Sequence, residues 1–310
     1  MSDQLPPIEA AAAPEDPEEL EAAAPSRGTS LPPGLSLGPV HLTVADLERS
    51  LDYYRSAIGL ELVGQDGAEA SLGSGGTELL HLVESPGAAP AHGRTGLYHF
   101  ALLVPTRPDL AAWLAHAARD RVPLVGLSDH YVSEALYLSD PDGHGIEIYC
   151  DRPREVWEGK VDIRMTTQPL DVDDLFAELD DPATAPFSGL AAGTVMGHVH
   201  LRVAEIADTV RFYRDVLGFD LMAQLGSRAA FLAAGGYHHH IGANTWESAG
   251  APPPDRGMAA LRHATIVLND AGALDVLLER IRREGHAVEQ TDAGPAVRDP
   301  SGNQLVLAAA

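Results

Sequence analysis

The chain has 310 residues, 45% of them hydrophobic, so it is long enough to bury two cores of ordinary domain size. Its 45 acidic residues outnumber its 21 basic ones and leave a formal charge of −24. This balance argues against nucleic acid and anionic membrane surfaces as partners, because both select basic patches. The single cysteine, Cys150, excludes an intrachain disulfide and fits a reducing cytoplasm, where we expect the protein to reside.

The first residues form a segment of their own. Residues 1–35 are rich in alanine, proline and acidic side chains. Such a segment offers too little apolar surface to offset the entropy lost on ordering, so the sequence predicts a disordered tail. It lacks a basic start and a long apolar run, so we expect neither a secretory signal nor a membrane anchor in it.

After this tail the chain carries an internal repeat. The run GPVHLTVADLERSLDYYRSAIGL recurs as GHVHLRVAEIADTVRFYRDVLGF, LYHFALLV recurs as LRHATIVL, and DPDGHGIEIY recurs as DPSGNQLVLA. A repeat of this length predicts two homologous domains, at 36–151 and 196–310. The segment 152–195 between them is predicted to be a linker with one short helix at 171–179.

Each half divides once more into two modules. In the first module the near alternation of GPVHLTV predicts a strand. Apolar residues at Leu47, Leu51, Tyr54 and Ile58 then have helical spacing, and Gly59 is suited to end that helix. Three short strands separated by glycines follow. The same order is expected three more times, which gives four β-α-β-β-β modules.

Four paired modules of this kind resemble the vicinal oxygen chelate fold, the superfamily of glyoxalases, extradiol dioxygenases and bleomycin-resistance proteins. The resemblance covers about 36–150 and 196–310. It implies an α+β fold in which paired modules curl their sheets into open barrels around a metal or ligand cavity. It also implies that each module can offer one metal ligand from its first strand and one from its last strand.

The histidines and the carboxylate at these positions are the candidate ligands. Only the second module supplies both a histidine, His99, and a carboxylate, Glu147. Two imidazoles with one carboxylate are the ligand set of non-haem Fe(II) oxygenases. The predicted first-strand positions are His41, His99, His200 and His263, and the predicted last-strand positions are Leu80, Glu147, His240 and Val306.

The third ligand depends on which modules pair. If consecutive modules pair it is His41, and if the middle modules pair it is His200. The runs GHVHL, GGYHHHIG and LYHFA resemble those of the two-domain catechol-2,3-dioxygenase-like family. This resemblance favours the middle pairing, so the predicted metal ligands are His99, Glu147 and His200, with His41 as the alternative.

A second stretch resembles the signature of extradiol dioxygenases. From His130 the chain reads HYVSEALYLSDPDGHGIE, which places Tyr137 and Glu147 at that family's spacing. The resemblance implies that His130 shuttles a proton and that Tyr137 donates a hydrogen bond to a ring oxygen. His238 and His240 are expected to bind substrate, and either could instead be the shuttle.

The resemblance as a whole implies an extradiol dioxygenase. Such an enzyme uses O₂ and Fe(II), with Mn(II) as the alternative ion, to cleave a small aromatic diol, a catechol, to a muconic semialdehyde. We also expect a homo-oligomer. The alternatives are a glyoxalase-type lyase or isomerase, which would prefer a second carboxylate where Leu80 or His240 stands, and a bleomycin-resistance-like sequestering protein, which needs no metal.

Overall fold

The computed structural model describes residues 30–310, so most of the predicted tail lies outside the described residues. The last part of that tail, residues 30–35, packs on the protein. Leu31 and Leu35 are each only 5% exposed, and the Leu31 N–H donates to the Gly218 carbonyl at 2.9 Å. These residues pack on the fold because the two leucines bury apolar surface.

The first module follows the predicted order. The Asp46 side chain accepts a hydrogen bond from the Arg49 N–H and starts the helix, and Gly59, with φ of 87°, ends it. The elements are β1 (Ser36–Val44), α1 (Leu47–Tyr53), continued by a π-helical turn over Tyr54–Ile58, β2 (Glu61–Asp66), β3 (Glu69–Ser74) and β4 (Thr77–Glu84).

The second module and the linker follow. The predicted linker helix is observed and begins after Asp171, whose side chain accepts from the Asp174 N–H. The module comprises β5 (Gly96–Leu103), α2 (Arg107–Asp120), β6 (Gly126–Asp129), β7 (Ser133–Ser139) and β8 (Gly145–Asp151). The linker comprises α3 (Arg154–Trp157), α4 (Val161–Arg164), β9 (Gln168–Pro169) and α5 (Val172–Phe176).

The second half repeats the plan. The third module comprises β10 (Val195–Arg202), α6 (Ile206–Val210), continued by a π-helical turn over Arg211–Leu217, β11 (Asp220–Leu225), β12 (Ala229–Ala233) and β13 (Ile241–Asn244). The fourth comprises β14 (Leu261–Leu268), α7 (Ala271–Arg283), β15 (Glu289–Thr291), β16 (Gly294–Arg298) and β17 (Gln304–Ala309). No helix in residues 30–310 is long and apolar enough to cross a membrane.

The modules pair across the two halves of the chain. An eight-stranded sheet, in the order β15-β16-β17-β14-β1-β4-β3-β2, joins the first module to the fourth through antiparallel β1 and β14. A nine-stranded sheet, in the order β11-β12-β13-β10-β5-β8-β7-β6-β9, joins the second module to the third through antiparallel β5 and β10. The predicted α+β fold of four modules is confirmed, and the middle modules are the ones that pair.

A repeated hydrogen bond ties the helical segment of the first module to the second module, and that of the third module to the fourth. The hydroxyl of Tyr54 donates to Asp140 Oδ2 at 2.9 Å, and that of Tyr213 donates to Asp299 Oδ2 at 3.2 Å. Both aspartates open the repeated Asp-Pro-x-Gly turn, and all four side chains are buried. The turn recurs in both halves because it anchors the helices.

Candidate metal centre

Two parallel strands of the second module present the candidate ligands to one side of the sheet. His99 lies on β5, and Glu147 lies on its neighbour β8, opposite Ala101. The flanking residues Phe100 and Ile146 point into the hydrophobic core, so strand alternation turns His99 and Glu147 to the opposite, concave face. Both are nevertheless buried, with 6% and 2% of their surface exposed.

The third member of the cluster comes from the third module. Strand β10 runs antiparallel to β5 and carries His198, which is 1% exposed. Glu147 Oε2 lies 3.0 Å from His99 Nε2 and 3.0 Å from His198 Nε2, and the two Nε2 atoms are 3.3 Å apart. One carboxylate oxygen and two imidazole nitrogens therefore meet at one point.

This donor set fits a divalent metal ion. Adjacent ligands that each lie about 2.1 Å from one ion at right angles are about 3.0 Å apart, which is close to the three separations observed. Imidazole and carboxylate together suit Fe(II), and Mn(II) accepts the same donors.

The electrostatics of the cluster keep its acid and its base in the forms that bind metals. Burial opposes ionisation of Glu147, but the adjacent His198 and His99 outweigh it and hold its pKa well below the usual range. Burial lowers the pKa of His198, against the opposing effect of Glu147. An ionised carboxylate and a neutral imidazole are the forms that coordinate a metal.

His200, the predicted third ligand, lies beside the cluster and not in it. It sits two residues after His198 on the same face of β10, directly opposite His99 in the register. Its ring centroid is 4.9 Å from that of His99, and its buried Nε2 has no hydrogen-bond partner within residues 30–310. The structure brings His198 to Glu147 in its place.

Counting to the next helix would have identified His198. His99 and His198 each stand seven residues before the residue that caps the following helix, Thr106 and Glu205. His200 stands five residues before its cap, as His41 does before Asp46. The two homologous domains align His41 with His200 correctly, but neither of these is the equivalent of His99.

The strand register corrects the last-strand positions as well. Ala101, His41 and His200 hold the same place in their modules, five residues before the helix cap. Ala101 pairs with Glu147 on the last strand, and His200 pairs with Gly242. In the first module the equivalent partner of His41 is His81. Gly242 and His81 therefore occupy the positions that the sequence analysis assigned to His240 and Leu80.

His130 and Tyr137 are in direct contact, and Tyr137 lies next to the cluster. Tyr137 lies on β7 directly opposite Glu147. His130 Nδ1 is 2.7 Å from the Thr166 carbonyl, so it donates, and its Nε2 accepts from the Tyr137 hydroxyl at 2.7 Å. Burial lowers the pKa of His130, and burial with the nearby Glu147 raises the pKa of Tyr137 well above its usual range. The pair is thus a neutral imidazole and a protonated phenol.

The histidine run differs from its prediction. His238, His239 and His240 lie in a turn before β13, whereas the sequence pattern suggested a strand. His239 lines the cavity described below, and its ring lies 4.1 Å from that of His198. His238 is fully buried between Asp151 and His239, and His240 Nδ1 accepts from the Ala234 N–H, so neither lines the cavity.

The cluster opens into a cavity of about 1190 Å³. Its walls come from both middle modules and from the linker, which contributes Met165, Thr166 and Thr167. The cavity is lined by the three candidate ligands His99, Glu147 and His198, which are together called the metal cluster. It is also lined by His130, Tyr137, His200 and His239. A ligand in the cavity can therefore reach every one of these side chains.

Comparison with known proteins identifies the family of the chain. The model of the Glyoxalase/Bleomycin resistance protein/Dioxygenase superfamily matches residues 36–148 and again 195–307. The chain belongs to this superfamily. The match covers both halves, and each matched range contains two of the four modules.

Within the superfamily the chain is similar to a dioxygenase. It is 40% identical over 278 residues to the catechol-2,3-dioxygenase of Bacillus subtilis (strain 168), a match that covers 88% of this chain and 96% of that protein. The predicted class, a catechol-2,3-dioxygenase-like enzyme, is confirmed by this relative.

Solved structures of the superfamily share the fold. A Bacillus subtilis protein superposes with a TM-score of 0.60 at 16% identity, covering 91% of this chain and 86% of that one. A glyoxalase I mutant from Zea mays superposes with a TM-score of 0.52 at 16% identity, covering 89% of this chain and 94% of that one.

Proposed function

We propose that this member of the superfamily is an extradiol ring-cleaving dioxygenase. It would use Fe(II) and O₂ to cleave a catechol beside its two hydroxyl groups, giving a muconic semialdehyde. The observation that carries the proposal is the buried carboxylate of Glu147, 3.0 Å from two imidazoles at the wall of a large cavity. The similarity to catechol-2,3-dioxygenase supports it.

The residues that would hold the metal are His99, His198 and Glu147. His200, which the sequence analysis named, stays the alternative third ligand because its unpartnered Nε2 is close by. Fe(II) bound by such a set supplies the one-electron chemistry through which O₂ reacts with an aromatic diol. Mn(II) is the alternative ion.

His239 is placed to accept a hydrogen bond from a hydroxyl group of a bound catechol. His238 Nε2 donates to Asp151 Oδ1 at 2.8 Å, which leaves His238 Nδ1 to accept from His239 Nδ1 at 2.8 Å. In that arrangement His239 is neutral and its Nε2 is left as an acceptor toward the cavity. Burial, with the neighbouring histidines, lowers the pKa of His239 well below its usual range, which agrees with a neutral ring.

Tyr137 and His130 would act together on the second hydroxyl. His130 Nε2 already accepts from the Tyr137 hydroxyl, so we propose that His130 reaches the substrate through Tyr137. Tyr137 remains protonated and can donate a hydrogen bond to a ring oxygen as negative charge develops there. His130 remains the predicted shuttle, with His239 as the group that can contact the substrate directly.

The predicted substrate-binding residues take supporting positions in this proposal. His238 orients His239, and His240 packs against Tyr237 with ring centroids 4.9 Å apart. Glyoxalase-type chemistry and sequestration remain the alternatives. Glyoxalase-type chemistry would prefer a second carboxylate on the last strand of the third module, but the position there that corresponds to Glu147 is Gly242. A cytoplasmic location and a homo-oligomer belong to the same proposal.

The test is O₂ uptake with catechol by protein loaded anaerobically with Fe(II). We expect a yellow ring-cleaved product and one equivalent of O₂ consumed per product. His198→Ala should abolish both turnover and tight iron binding, and His41→Ala, in the other sheet, should retain them. Tight iron binding lost in His200→Ala and kept in His198→Ala would overturn the ligand assignment. No uptake by iron-loaded wild type would overturn the function.

A further inference from the structure

The cavity is several times larger than the substrate of the proposed reaction requires. Catechol has eight heavy atoms, and even at the roughly 30 Å³ that a water molecule occupies in the liquid, eight atoms fill only about 240 Å³. The cavity measures about 1190 Å³. The space beyond one ring is therefore available to a ring substituent, and the chemistry of its walls indicates which kind.

Aromatic side chains lead outward from the metal cluster along one wall. The ring of Tyr98 lies 5.3 Å from that of His99 and 5.2 Å from that of His200. Trp246 packs edge-on against Tyr98 at 5.3 Å and lies 5.7 Å from His200. These separations are those of interacting aromatic rings, so the wall is a continuous aromatic surface.

Trp246 differs from the other two tryptophans of the chain. Trp113 and Trp157 are buried, with 0% and 2% of their surface exposed, whereas Trp246 is 39% exposed although it lines the cavity. Its indole thus presents apolar surface to the cavity. Covering that surface with an apolar group would be favourable.

The charged groups at the outer end of this wall are paired. The Arg202 guanidinium lies 5.7 Å from the Tyr98 ring centroid, and its Nε lies 3.3 Å from Glu247 Oε2. The negative charge of Glu247 beside Arg202 offsets the attraction that the guanidinium would exert on a carboxylate of the substrate. This pairing favours an uncharged substituent over an anionic one.

We propose, on the basis of the proposed function, that the natural substrate is a catechol with an uncharged aromatic or bulky apolar substituent, which packs on Trp246 and Tyr98. Trp246 is then a specificity-determining residue of the outer cavity. The diol lies at the metal cluster, and the substituent extends along the aromatic wall toward the Arg202–Glu247 pair.

The experiment separates binding from turnover. Iron-loaded protein is titrated without O₂ with catechol, 3-phenylcatechol and 3,4-dihydroxyphenylacetate, and quenching of tryptophan fluorescence gives each Kd. We expect 3-phenylcatechol to bind at least about tenfold more tightly than the other two. Trp246→Ala should remove most of that advantage, and Trp246→Phe, which keeps an aromatic ring, should retain most of it. For the variants, calorimetry replaces fluorescence as the measure of Kd.

The matched control is Val276→Ala. Val276 is an exposed valine on α7 that does not line the cavity, so this variant should keep the wild-type ratio of the Kd values for catechol and 3-phenylcatechol. Equal affinities for catechol and 3-phenylcatechol would overturn the inference. So would tightest binding of 3,4-dihydroxyphenylacetate, or an equal effect of Trp246→Ala on all three ligands. Selective binding of 3-phenylcatechol without ring cleavage in air would keep the inference and overturn the proposed function.

Discussion

Glu147 is a single buried side chain that distinguishes the two halves of the chain. A buried carboxylate is costly unless a cation or strong donors compensate for it, and the two imidazoles at 3.0 Å supply part of that compensation. The second half of the chain keeps the surrounding turn but carries Val306 at the equivalent position. The turn therefore serves the fold in both halves, whereas the carboxylate at this position occurs in the first half and not in the second.

Replacing Glu147 by glutamine tests the role of this carboxylate. We expect Glu147→Gln to weaken Fe(II) binding by at least about 100-fold, because the site loses its only anionic ligand. Iron content after gel filtration, measured by atomic absorption, is the readout, and ring cleavage should fall with it.

A matched control is Glu134→Gln. Glu134 is also buried, at 4% exposure, but it pairs with Arg107 and Arg152 and does not line the cavity. This variant should lower the midpoint of thermal unfolding and keep the iron. Equal iron content in Glu147→Gln and wild type would show that Glu147 is not a ligand.

At the scale of elements, the repeated tyrosine–aspartate pair holds the helices in place. Tyr54→Phe leaves the buried Asp140 without its hydroxyl donor, so we expect a loss of about 1–3 kcal/mol in the free energy of unfolding, measured with urea. Tyr53→Phe is the control, since its hydroxyl reaches only the Ser139 carbonyl at a more exposed site, and it should cost less. Equal losses would remove the anchoring role.

Three strands of the other sheet carry a stack of histidines that makes stability depend on pH. The His41 ring stacks on His263 at 3.9 Å and on His81 at 4.6 Å. Burial, then the neighbouring His263, His81 and Arg262, lowers the pKa of His41 to about 3. Burial, then Arg262 and His81, lowers the pKa of His263 to about 4. Glu69 lies beside His81, 3.1 Å from its Nε2.

The sign of the effect follows from these shifts. Between pH 6.5 and about 4 the unfolded chain binds protons at these two positions and the folded chain does not, so stability falls as the pH falls. We expect His41→Gln to make the midpoint of thermal unfolding less dependent on pH in that interval. His92→Gln, an exposed histidine outside the stack, is the control. A wild-type slope in His41→Gln would contradict the assignment.

Much of this architecture could be predicted because helix spacing, caps and turns are local. Alternation in the last strand of the second module predicted that Glu147 lies opposite Ile146 and Ile148, and the module positions placed His99 as its neighbour. Alternation does not separate His198 from His200, since the two share one face of β10. Their spacing to the helix cap and their distance to Glu147 distinguish them. The turn at His238 to His240 was also missed, because a run of histidines has no periodicity that marks where a strand begins.

At the scale of the whole molecule, the three candidate metal ligands come from both halves of the chain. His99 and Glu147 come from the first half, and His198 comes from the second. We therefore expect separately produced fragments 30–151 and 152–310 each to lack tight iron binding, and their mixture to regain part of it. Iron content after dialysis is the measurement. Full iron affinity in the first fragment alone would contradict this expectation.

The pairing of modules across the two halves has a consequence for how such a protein can arise. Each half-chain presents two sheet edges that pair with the other half, β1 and β5 in the first half and β14 and β10 in the second. Two identical half-chains could meet in this way by exchanging modules, as a domain-swapped dimer does. The linker makes that association intramolecular, so it no longer depends on protein concentration. Once joined, the two copies could diverge, and one sheet could keep the ligands while the other changed its histidines without loss of the reaction.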